Sequence, residues 1–124
     1  MEYTDLIVKV ESGEIDAIEE MLFRLKNENK SLFRCYIDKL KVYFILNENI
    51  EIINKLSLIF STLKIHSSVP LILSKLIDGK YDTEGGTLLF SLLGLKRTNF
   101  KDKLKEISKR DISFEMKSML KMLL

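Results

Sequence analysis

Along residues 14–27 apolar side chains recur as Ile15, Ile18, Leu22 and Leu25, at steps of three and four, while Asp16, Glu19, Glu20, Arg24 and Lys26 fill the places between them. Such steps return to one side of a 3.6-residue turn, so the spacing predicts a helix with a single buried stripe. Phe33, Ile37, Leu40 and Phe44 repeat the pattern, Tyr36 and Tyr43 broaden it, and Ser31 stands where an N-cap is expected. Asn47, Glu48 and Asn49 interrupt the run. Ile52, Leu56, Ile59 and Leu63 then trace the inner face of a further helix, expected to fold back on its predecessor as a hairpin. Ahead of these, residues 3–10 read as a shorter helix closed by Ser12 and Gly13, although Leu6, Ile7 and Val8 also suit an extended segment.

Beyond Ser67 and Ser68, Val69-Pro70 marks a new helix start, because proline is tolerated in a first turn where its missing amide has no intrahelical acceptor. That helix is expected to run through Leu73 and Leu76 to a stop at Gly79, with Asp82 or Thr83 capping the next, which carries Leu88, Leu89, Leu92 and Leu93. The remaining chain overlays this hairpin at an offset of 31 residues, pairing Leu73 with Leu104, Leu76 with Ile107, Glu84 with Glu115, Leu88 with Met119, Leu89 with Leu120 and Leu92 with Leu123. Helices over about 100–109 and 113–124 would then stack on the preceding pair, each unit burying a stripe it cannot bury alone. The first half aligns less cleanly with this repeat. The expected fold is all-α, a short HEAT-like α-solenoid of stacked antiparallel helical hairpins with about seven to eight helices, spanning 1–124 as a single all-helical domain.

Composition supports this picture and narrows the function. Five glycines and one proline in 124 residues leave few helix breakers, and 46% apolar with 31% charged residues suits a folded chain. Twenty basic against 18 acidic residues give a net charge of +2, small for a dedicated nucleic-acid binder. The first residues carry neither a basic n-region nor an apolar h-region, and no apolar run reaches spanning length. A cytoplasmic protein with no membrane contact is therefore expected.

No segment carries a self-sufficient catalytic motif. His66 is the only histidine and Cys35 the only cysteine, too few for a zinc constellation or an internal disulfide, so no catalytic residue, cofactor or metal is expected and the chain is not expected to be an enzyme. Residues 79–87 contain glycines and a lysine, but not in phosphate-loop order, and a packing role for Gly79, Gly85 and Gly86 is the simpler expectation. The basic stretch 96–110 is diluted by Asp102 and Glu106, which favours a solvated helix face over a nucleic-acid groove. Met21, Phe23, Tyr36, Phe44, Phe90, Met119 and Met122 are expected in the core. Acidic residues cluster instead near the start, at Glu11, Glu14, Asp16, Glu19 and Glu20, a bias that would solubilise the surface or face a basic protein.

Leu76-Ile77-Asp78-Gly79-Lys80 followed by Gly86-Thr87-Leu88-Leu89-Phe90-Ser91-Leu92 resembles small bacterial HEAT-like repeat proteins, in many of which a Gly-Thr-Leu-Leu-aromatic-Ala-Leu stretch opens the second helix of a repeat. Ser91 stands here in place of the alanine, and the likeness covers about the last half of the chain. Proteins of this look include immunity proteins of contact-dependent growth inhibition and other polymorphic toxin systems, which bind a toxin domain, often a nuclease. The resemblance thus implies a toxin inhibitor acting by protein–protein interaction, with the cognate toxin C-terminal domain as partner. Charge suggests Glu14, Asp16, Glu19, Glu20, Asp82 and Glu84 as contact residues. A helical-repeat scaffold for another protein ranks next and a nucleic-acid-binding helical repeat behind it, with oligomeric state left open.

Overall fold

The computed structural model describes residues 3–77, 86–95, 101–109 and 114–123. Among these the regular structure is entirely helical, in eight α-helices and one short 3₁₀ turn, so the chain is an all-α protein. The helices are α1 (Tyr3–Glu11), α2 (Ile15–Glu28), α3 (Lys30–Leu46), α4 (Ile50–Thr62), α5 (Val69–Ile77), α6 (Gly86–Leu93), α7 (Lys101–Ser108) and α8 (Phe114–Leu123). Backbone contacts divide the chain into two compact units, Met1–Ile59 and Phe60–Leu124, with the boundary inside α4.

In the first unit, α1 packs on α2 and α2 on α3. The predicted stripes of α2 and α3 supply most of the core: Ile18 and Leu22 from α2, with Ile15 and Leu25 half-buried, and Phe33, Tyr36, Ile37, Leu40 and Phe44 from α3 are buried, joined by Leu6 and Val10 of α1. Residues 3–10 are helical, which removes the extended alternative for Leu6 to Val8. Gly13 takes φ 82°, and the bonds Gly13 N to Val10 O (3.2 Å) and Glu14 N to Lys9 O (3.0 Å) close α1 with a left-handed turn that satisfies two otherwise orphaned carbonyls.

Two sequence expectations change in this unit. Ser31 does not cap α3; Asn29 does, its Oδ1 accepting from Leu32 N at 3.1 Å while its own N–H donates to Leu25 O at 2.8 Å. One asparagine thereby ends α2 and starts α3, so the helix begins earlier than the Phe33 repeat suggested and Ser31 falls in its first turn. The expected hairpin of α3 with α4 is also not among the closely packed helix pairs. Asn47 leaves α3 in an extended conformation (φ −85°, ψ 141°), and Asn49 then caps α4, accepting from Glu51 N at 3.0 Å. A short connection joined the two helix ends without fixing which faces meet. On α4 the buried stripe is Ile53, Leu56, Ile59 and Phe60, continued by Leu63 just past the helix end; Leu56, Ile59 and Leu63 are buried as expected, while Ile53 takes the place expected for Ile52, which is half-buried.

In the second unit, α5 packs on α6 and α7 on α8, while α5 also meets α7 and α6 meets α8. First helices thus stack on first helices and second on second, as the 31-residue offset anticipates. Where both side chains of an overlaid pair are described, both are buried: Leu73 with Leu104, and Leu89 with Leu120. Ser91, at the position where the resemblance has alanine, is buried. Its hydroxyl donates to Thr87 O at 2.9 Å, so a small polar side chain fits there without stranding its oxygen. Pro70 lies in the first turn of α5 as expected, preceded by a 3₁₀ turn at His66–Ser68 in which Ser68 Oγ donates to Ile65 O at 2.7 Å. The expected stop at Gly79 and the caps at Asp82 or Thr83 lie outside the described residues.

Candidate protein-binding surface

The acidic residues of the N-terminal third are distributed on α2 by its 3.6-residue turn. Ile18 and Leu22 face the core. Asp16, Glu20, Phe23 and Asn27 recur at four, three and four, and so form a stripe on the opposite side of the cylinder. All four are exposed, and Phe23 is 61% exposed. A large aromatic facing solvent directly away from the core adds nothing to its own unit's packing, which overturns its expected core placement. The apolar spacing that would bury Phe23 conflicts with the Ile18–Leu22 stripe, and the longer stripe decides the helix orientation.

The other acidic candidates separate on the same geometry. Glu14 is exposed just before α2, where its Oε2 accepts from the Ser12 hydroxyl at 2.9 Å; that hydroxyl also lies 3.1 Å from Lys9 O. Its carboxylate is drawn back toward the turn that closes α1. Glu19 is half-buried and engaged with a neighbouring group, so it belongs to the flank of the helix and not to the outer stripe. Asp82 and Glu84 lie outside the described residues. Glu11, part of the same acidic bias, accepts from the Tyr43 hydroxyl at 2.6 Å, tying α1 to α3. Of the predicted set, Asp16 and Glu20 therefore share the outer stripe of α2, beside Phe23 and Asn27.

Phe90 is the second aromatic expected in the core and found outside it, 59% exposed on α6. Tyr36 and Phe44 are buried as expected and Met21 is half-buried, while the side chains of Met119 and Met122 lie outside the described set. Val42, Ile45 and Leu46, at steps of three and one on α3, are exposed apolar positions outside the Phe33–Phe44 stripe. Lys75 is nearly buried in the last turn of α5, a location that suits a cation near the negative end of the helix dipole.

For chemistry, the described residues contain no group of three or more His, Cys, Asp or Glu side chains placed to hold a metal ion. His66 is half-buried at the start of the 3₁₀ turn, with Nδ1 enclosed and lacking a hydrogen-bond partner. Cys35 is exposed on α3. Among the described residues no helix is long and apolar enough to cross a membrane. The fold defines an all-helical protein whose exposed groups are surface features of helices. The chain matches no family model, no curated protein and no solved structure.

Proposed function

We propose that this chain is a cytoplasmic binding protein that neutralises a bacterial toxin domain, gripping a basic protein surface with the outer stripe of α2. The observation that carries the reading is Phe23 standing exposed on the same stripe as Asp16 and Glu20. Aromatic anchors surrounded by polar groups dominate protein interfaces, and carboxylates beside the anchor steer a basic partner and fix its register. A nuclease domain presents such a basic surface because it must hold phosphates. The likeness to immunity proteins supplies the toxin as the partner; the stripe supplies the sign of its charge.

The test is co-expression with the toxin encoded by the adjacent reading frame. Growth rescue and stoichiometric binding are expected for the unaltered chain. Phe23→Ala and the pair Asp16→Lys with Glu20→Lys should each weaken binding at least tenfold while leaving the helical circular dichroism unchanged, since all three side chains are exposed. Absence of both rescue and binding would overturn the reading. Tight binding to a non-toxic protein through the same stripe would favour the scaffold alternative.

A further inference from the structure

The second unit carries twelve basic and seven acidic residues, whereas the first carries eight and eleven. Within it the stacking of α5 on α7 and of α6 on α8 makes two layers of two helices. Among the described residues, the side chains exposed on the α6–α8 layer are aromatic and basic. On α8, Phe114, Lys117 and Lys121 are exposed at steps of three and four, on the far side from buried Met116 and Leu120. Phe114 is 80% exposed, and on α6 Phe90 points away from buried Leu88 and Leu92.

The 31-residue offset pairs Phe90 with Lys121, and corresponding positions of stacked repeat helices lie side by side, with axes about 8–10 Å apart in such packing. Lys117 is one turn along from Lys121, about 6 Å down the axis, and Phe114 is about one turn further. Two flat apolar faces therefore flank two cations on one surface. We infer that this outer face of α6 and α8 binds single-stranded nucleic acid, with Phe90 and Phe114 stacking on bases and Lys117 and Lys121 contacting phosphates.

The ligand class follows from the combination. Lysines alone would attract any polyanion, but exposed rings gain most from bases free to unstack, which a duplex does not offer. An acidic polypeptide would answer the lysines and leave the rings without a flat partner. The surface also differs from the basic stretch 96–110, where exposed Asp102 and Glu106 alternate with exposed Lys105 and Lys109 and weaken any phosphate track.

The chain contains no tryptophan, so Phe114→Trp provides a single indole whose emission reports stacking directly. Titrating the full chain with labelled oligothymidylate and oligouridylate at low salt should give saturable anisotropy changes, and the Phe114→Trp emission should be quenched in parallel. Phe90→Ala and Phe114→Ala should each weaken binding about tenfold, in the range of losing one base–aromatic stack. Lys117→Gln with Lys121→Gln should make the logarithmic salt dependence shallower by about 1.4, the contribution of two phosphate contacts on a single strand. No binding at low salt would overturn the proposal. So would binding that survives loss of both rings, or that is lost on Lys105→Gln with Lys109→Gln instead. Displacement by polyglutamate as readily as by oligonucleotide would reassign the surface to an acidic protein.

Discussion

The two units solve one local problem, ending a helix and redirecting the chain, with different residues. After α1 the left-handed position is Gly13; after α4 it is Lys64, at φ 58°. The hydrogen bonds are equivalent, since Lys64 N donates to Ser61 O at 3.1 Å and Ile65 N to Phe60 O at 2.8 Å, matching the pair around Gly13. Glycine occupies that conformation at no steric cost, whereas a residue with a Cβ loses about 1–2 kcal/mol there. Lys64 is compensated within its own unit: its Nζ donates to Gly94 O at 2.8 Å, placing a cation on a carbonyl just past the C-terminus of α6. A turn that depends on backbone freedom can be read from sequence, and one that depends on a distant acceptor cannot.

The comparison can be broken most strongly at the cores. Among the described residues, Phe44 and Phe60 are the largest fully buried side chains, one in each unit. Each Phe→Ala change should cost about 3–5 kcal/mol. Hydrogen exchange should show Phe44→Ala loosening mainly α1 to α3 and Phe60→Ala mainly α5 to α8; uniform loosening in both would mean that the units unfold together. Gly13→Ala comes next. It should lower stability by about 1–2 kcal/mol in denaturant titrations through backbone strain, because Lys55 Nζ, 3.5 Å from the added methyl, leaves it room.

Lys64 separates the two terms of its turn. Lys64→Ala keeps the strained backbone and removes the bond to Gly94, and should cost about 1 kcal/mol. Lys64→Gly removes both strain and bond and should fall within about 0.5 kcal/mol of the parent chain. Equal losses in the two variants would mean that the backbone at Lys64 carries no strain. A small effect is also expected at Gly94, where an added methyl would overlap Ser61 Oγ while Ser61 Cβ remains at ordinary contact, 3.5 Å away. A rotation of the serine relieves that overlap, so Gly94→Ala should cost under about 1 kcal/mol, and Ser61→Ala in the same chain should recover most of it.

Much of the fold was legible from repeats of three and four. The cores of α2, α3, α6 and the two overlaid pairs of the second unit fall where Ile18, Leu22, Phe33, Phe44, Leu89 and Leu120 predicted them. Boundaries were less legible, because several residues compete for a cap: Ser31 is a good N-cap by type, yet Asn29 has the position from which its oxygen reaches Leu32 N. The candidate surface was legible in charge but not in detail. Periodicity identifies Asp16 and Glu20 as outward-facing once the core stripe is known, whereas it gives no reason for an outward Phe23 or Phe90, since an aromatic side chain is expected inside by hydrophobicity alone.

What the amino-acid sequence determined is therefore local: helical segments, their apolar stripes, glycine turns and the opposite charge of the two halves, all set by neighbours within a turn or two. The tertiary structure decided which stripe prevailed where two competed, which helices became neighbours, and which carboxylates remained outward. It also drew Lys64 to a carbonyl thirty residues away. These outcomes depend on competition for shared buried volume and for hydrogen-bond partners distant in the chain, and periodicity within one helix carries no information about either.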